Sequence, residues 1–443
     1  MGVLKKLFST FALQQCLLLI LLYIILFFFK NDYILVFAYI YSLFLGFAVI
    51  KTRVEYLLAN NTGLIFLLFL FLYGALHSIA SLILLDEIPQ NIYLSTIIYG
   101  ATLPSYLLGY SFVKQKLYNE AYKEEIKESE PSVFYSIFLV ILLILLTGYM
   151  SYFFISIGAF FNLSVLTKDR SEVFETREQS QIVVGLLISG IYLYFIYYYK
   201  KISKLILFII SAILLYYVLM QLAAGNRRDF MPMVTGVFWI FVNIKKLKFN
   251  LFWFVVLLFS IFIFQYLGTI RGSLSSNTNM NSSESSVAAL TNNEFTYPFY
   301  TLSFEVDDML KNKIEYKYGE SLSYPVLFFI PRAIYPEKPN SLANQFIQKH
   351  FGKRYKMGFA YTPVSEAFVN FGVLGPFFCY FLVGLVISFI QNRNHQVLNF
   401  VFFTMILDFC RGELGTFFYQ FFFTALFIYI LPSIKKAILL LNR

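Results

Sequence analysis

Residues 11–29, FALQQCLLLILLYIILFFF, run for nineteen residues without a charged side chain. As an α-helix the stretch is roughly 28 Å long, close to the thickness of a bilayer's hydrocarbon core. It is apolar on every side, which suits lipid and not a water-facing helix. Outward from it the pattern recurs at 33–50, 63–85, 92–113, 133–155, 181–199, 202–224, 229–244, 250–268, 371–390, 395–410 and 414–434. That makes about twelve spans of roughly 16 to 23 residues each. The eighth and eleventh are short enough to be re-entrant or to tilt little.

Composition agrees with this all-α, polytopic reading. Of 443 residues, 59% are hydrophobic and 14% charged. A mean hydropathy of +0.68 excludes an ordinary soluble domain. The formal charge of +10 resides mostly at span ends, so it reads as membrane orientation and not as a nucleic-acid surface. Cys16, Cys379 and Cys410 have neither metal-ligand nor disulfide spacing. The opening MGVLKKLFST lacks a small-residue cleavage site after its apolar run and reads as an uncleaved first helix. Lys6, in place of Ser or Thr, argues against lipidation at Gly2.

Lys5/Lys6, Lys51/Arg53, Lys114 to Lys127, Lys200/Lys201/Lys204, Lys245/Lys246/Lys248, Arg393 and Lys435/Lys436/Arg443 fall on one side, the cytoplasmic one. An even span count puts both termini there. The expected organisation is a membrane region over 1–268 with about nine spans, a large extracytoplasmic loop over 269–370, and a membrane region over 371–443 with about three. Within the loop, RGSLSSNTNMNSSESS is Ser/Asn-rich, and FYTLSFEVDDMLKNKIEYKYG reads as an amphipathic helix against the membrane surface. Prolines in LSYPVLFFIPRAIYPEKPNSLANQF argue against one continuous helix.

Arg227, Arg228, Arg271, Arg332 and Arg411 lie at or beyond span ends on the outer side. A guanidinium fork matches phosphate oxygens bidentately, so the group reads as a site for an anion, with diphosphate the leading candidate. The blander reading pairs Arg228 with Asp229 and Arg411 with Glu413 as interface anchors. Glu366, in TPVSEAFVNFG, is either a base with a shifted pKa or a first-turn acid following a Thr362 cap and Pro363. His350 is the outer loop's single histidine, a weaker candidate for base or phosphate ligand. Glu305, Asp307 and Asp308 read as a solvated acidic face more readily than as a cation site. Tyr324, Tyr335 and Tyr361 are placed to stack on sugar rings. Phosphate-loop, dinucleotide and nucleophile-elbow motifs are absent from the sequence.

IPRAIYPEKPNSLANQF followed by T-P-x-x-E-x-x-x-N-F-G at Thr362–Gly372 resembles the Wzy-type O-antigen or capsular polysaccharide polymerases. GNRRDFMP, YLGTIRG and FCRGEL resemble the family's other arginine positions, with Asp229 replacing the more usual glycine after Arg228. The resemblance implies a GT-C-like helical fold and a glycosyltransferase of the bacterial cytoplasmic membrane with an outward-facing site. Its substrates would be undecaprenyl-diphosphate-linked oligosaccharides, joined without cofactor or metal. It implies Glu366 and Arg332 as catalytic, the five arginines as diphosphate ligands, and His350, Tyr335, Tyr361 and Thr362 as auxiliaries. Implied partners are membrane lipids, a flippase and a chain-length regulator. The rival readings are an O-antigen-ligase-like transfer to another acceptor and a transporter of lipid-linked glycans.

Overall fold

The computed structural model describes residues 2–53, 57–85, 87–113, 133–156, 179–223, 230–250, 297–327, 330, 334–352, 360–392 and 396–431. Regular structure among these is helical, apart from one isolated antiparallel bridge between Leu58 and Lys248. The helices are α1 (Gly2–Phe28), α2 (Asp32–Arg53), α3 (Thr62–Leu85), α4 (Gln90–Phe112), α5 (Val133–Ser156), α6 (Gln179–Tyr197), α7 (Lys204–Ala223) and α8 (Met231–Lys245). Next come α9 (Tyr297–Leu310), a 3₁₀ turn (Glu320–Ser323), α10 (Tyr324–Leu327), α11 (Leu342–His350) and α12 (Pro363–Phe371). The chain ends in α13 (Leu374–Asn392), α14 (Gln396–Thr404), α15 (Ile406–Arg411) and α16 (Leu414–Ala425), the last continuing into a π turn at Leu426–Ile430.

Six of these are long and apolar enough to cross a membrane: α1, α2, α3, α5, α7 and α13. Their outward faces carry large apolar groups such as Leu18, Phe44, Phe138 and Phe208, as a lipid-facing surface requires. The chain is a multi-pass membrane protein. The expected ninth span, 250–268, lies almost wholly outside the described residues. The eleventh is not one helix. It breaks at Met405 (φ −110°, ψ 3°) into α14 and α15.

The core of the bundle is set by small residues. A Cβ added to Gly109 of α4 would collide with the Phe381 carbonyl of α13, and one added to Gly384 would collide with the Tyr106 carbonyl. The two backbones therefore touch, which is how apolar helices gain packing where lipid removes the hydrophobic drive. Against α3 and α4 docks α9. Phe299 and Tyr300 close on the His77 ring of α3 at 5.3 and 4.6 Å, and Phe299 meets Tyr99 of α4 at 5.9 Å. The expectation that this segment lies along the membrane surface is corrected. Its apolar stripe, Phe299, Leu302 and Val306, is used up against the helical core.

Candidate functional site

Helix α12 is built by its sequence from both ends. Thr362 is extended (ψ 159°) and its Oγ1 accepts from the Ser365 N–H at 3.2 Å, while Pro363 supplies a preset φ at the first helical position. Gly372, at φ +66°, closes the helix by donating its N–H to the Phe368 carbonyl at 2.7 Å. This cap was legible in the sequence, and it puts Thr362 in a structural role. Thr301 of α9 holds the same corner through Ser365 Oγ at 2.9 Å.

Glu366 sits in the first turn, 1% exposed. Its Oε1 accepts from the Ser321 hydroxyl at 2.6 Å and its Oε2 from the Leu414 N–H at 2.7 Å. Burial pushes its carboxyl up to about 7, with the nearby Glu413 adding to the rise and the two hydrogen bonds opposing it. Glu413 is the residue that starts α16, and its Oε2 accepts from Leu342 N–H, the first residue of α11, at 2.6 Å. Tyr419 of α16 donates to the Tyr324 carbonyl at 3.1 Å. Residues 320–327, 341–346, 362–372 and 409–419, far apart in sequence, thus meet here.

Of the arginines, Arg411 is described; it ends α15 half-buried, two residues before Glu413. Arg227, Arg228, Arg271 and Arg332 lie outside the described residues. The chain does approach Arg332 from both sides: Ile330 accepts from Lys338 Nζ at 3.2 Å, and Tyr335 closes a turn onto the Lys338 N–H. Tyr335 is 37% exposed.

The other auxiliaries are corrected. Tyr361 is buried and donates to Glu305 Oε1 at 3.1 Å, so its ring is not a stacking platform. Tyr324 is also buried, donating to Glu320 at 3.2 Å and accepting from Gln345 at 3.3 Å. His350 packs between Phe304 (5.1 Å) and Phe346 (4.6 Å), with Nε2 3.6 Å from Asp308 Oδ2. Burial lowers its pKa. The acidic face is not solvated either. Glu305 and Asp308 are buried under α11 and share the ammonium of Lys349, while only Asp307 stays near water, paired with Lys311 at 2.5 Å. Glu305, Asp308 and His350 are the one group among the described residues whose donor atoms, all within 4.8 Å of one another, suit a metal ion. Lys349 already supplies the counter-charge there.

Sequence reading gave Glu413 only as a pair for Arg411 and Asn370 only as part of the Thr362–Gly372 run, and it missed Ser321, which carries no charge, and Asp408. The last is 4% exposed on α15, one turn before Arg411. A carboxylate inside the apolar run FFTMILDFC was a signal available from sequence.

The family model for O-antigen polysaccharide polymerase Wzy matches residues 6–440. The chain belongs to the Wzy family. No curated protein and no solved structure matches it. In this Wzy-family chain residues 341–346, TPVSEAFVNFG and FCRGEL converge at Glu366, and each belongs to a stretch on which the resemblance rests. Family membership makes the chain a polymerase of polysaccharide biosynthesis working on lipid-linked oligosaccharides at a membrane.

Proposed function

We propose that this protein transfers a growing glycan from undecaprenyl diphosphate to a hydroxyl of an incoming lipid-linked repeat unit, at the outer face of the cytoplasmic membrane. The supporting observation is the convergence on Glu366. Leu414 N–H and Ser321 Oγ bind its carboxylate, and Glu413 ties the same point to the segment that follows Arg332. Arg227 or Arg228, Arg271, Arg332 and Arg411 bind the two diphosphates and stabilise the charge that grows on the leaving group. Glu366 takes the proton of the acceptor hydroxyl. It is closed off in this structure, which suppresses hydrolysis of the sugar diphosphate; the acceptor reaches it when the surrounding segments open.

The twelve-span, GT-C-like architecture with both termini inside belongs to the same reading, as do a flippase and a chain-length regulator as neighbours. The rival ligase chemistry favours a histidine beside an arginine. His350, wedged between two phenylalanine rings, gives it little support.

The test uses purified protein in lipid, a matched polyprenyl-diphosphate repeat unit, and EDTA. A glycan ladder is expected from the wild type, and none from Glu366→Gln or Arg332→Ala. No extension by folded wild-type protein on its native substrate would overturn the reading in favour of ligase or transport; adding candidate acceptors separates those two.

A further inference from the structure

Gly319, Asn370, Ser321 and Glu366 form a chain of hydrogen bonds whose direction follows from counting protons. Asn370 Oδ1 accepts from the Gly319 N–H at 2.9 Å, which fixes that end of the amide as the oxygen. The Nδ2 end donates to the Glu366 carbonyl at 2.8 Å and to Ser321 Oγ at 2.7 Å. A hydroxyl has one proton. Because Ser321 Oγ already accepts from Asn370, its proton goes to Glu366 Oε1, 2.6 Å away. Ser321, Asn370 and Glu366 are all buried, so water does not compete for these bonds. The geometry has two local causes. Asn370 follows Glu366 by four residues on α12, on the same face, and Gly319 adopts φ +90°, a turn that aims its N–H inward.

We propose that Ser321 and Asn370 are positioning residues for Glu366, a one-way chain that commits the single Ser321 proton to Oε1 and favours the ionised, accepting form of the carboxylate. This rests on the reading of Glu366 as base. In the transfer the acceptor oxygen bonds to the anomeric carbon and its proton passes to Glu366. The diphosphate departs with the electron pair of the broken glycosyl–phosphate bond, and Glu366 later releases the proton to water. Asn370 acts only through Ser321.

The other titratable groups around Glu366 are Glu413 and Tyr419 from α16, Tyr361 ahead of α12, and Cys379 on α13. All remain in place in the variants below. The experiment follows the infrared carboxyl band that is lost in Glu366→Gln, titrated against pH in wild type, Ser321→Ala, Asn370→Ala and the double variant. Ser321→Ala removes one hydroxyl and is the variant expected to fold. Its midpoint should rise by about one pH unit, and the acid limb of the polymerisation rate should move with it. Asn370→Ala should shift both the same way, and should add nothing in the Ser321→Ala background. An unmoved midpoint in Ser321→Ala would overturn the proposal, as would additive shifts in the double variant. Full activity in Glu366→Gln would instead remove the base reading, while the infrared midpoints would still report on the chain.

Discussion

At Glu366 two effects oppose each other. Burial favours the neutral acid, whereas the Ser321 hydroxyl and Leu414 amide favour the anion, and burial wins, with the carboxyl near 7. A base must be ionised to work, so polymerisation should fall as pH drops below about 7 and level off above it. Initial rates between pH 5 and 8 check this; a flat profile there rules out Glu366 as the proton acceptor. The same carboxyl binds its proton more tightly folded than unfolded. Its stabilising contribution is therefore complete below the unfolded carboxylate range and lost as pH rises through about 7. Lys349 presents a different case. Its ammonium is 39% exposed, yet it is the cation shared by buried Glu305 and Asp308. Burial, the largest influence on Glu305, raises its pKa. Lys349→Ala should lower thermal stability more at pH 8 than at pH 5, because the Glu305 carboxyl, raised by burial, leans more on its cation as pH rises. Equal losses at both pH values would contradict the burial of that pair.

Among the elements, α12 shows how a short helix is made to end where it is needed. Thr362→Ala removes the bond to the Ser365 amide and should cost about 1 kcal/mol, with Thr362→Ser keeping most of it. Melting curves in detergent measure the difference; equal losses in both variants would mean that the methyl group, not the cap, matters. Thr362, Pro363 and Gly372 made this helix readable, since capping is local chemistry. The break at Met405 was not readable. No proline or glycine marks it, and the apolar pattern 395–410 runs straight through it. What holds α15 apart from α14 is its packing against α3, α12 and α16, contacts that no local pattern announces.

For the whole molecule, the decisive contact is α4 against α13, segments separated by some 270 residues. Gly384→Leu would drive a side chain into the Tyr106 carbonyl. It should abolish a monodisperse, cooperatively melting protein, since the backbones cannot separate without losing the interface. Gly148→Leu on α5, where a Cβ meets nothing within 4 Å, should be tolerated. Size-exclusion profiles of the two proteins make the comparison; a well-behaved Gly384→Leu protein would disprove the close approach. Of this pair, α4 also seats α9, and with it Thr301 and Glu305, which hold α12 and Tyr361.

The apolar helices along the chain, the α12 cap and the Thr362–Gly372 motif were determined by sequence alone. Each depends on residues within one or a few turns of one another, where hydropathy and capping act. The environment of Glu366, the burial of Glu305 and Asp308, the wedging of His350 and the withdrawal of Tyr361 from any sugar were decided only by tertiary structure. In each case the partner is some 40 or more residues away: Ser321 and Leu414 for Glu366, Lys349 for Glu305 and Asp308, Phe304 for His350, Glu305 for Tyr361. A charged residue reads as solvated until the fold brings another element over it, and that covering is a property of packing and not of spacing.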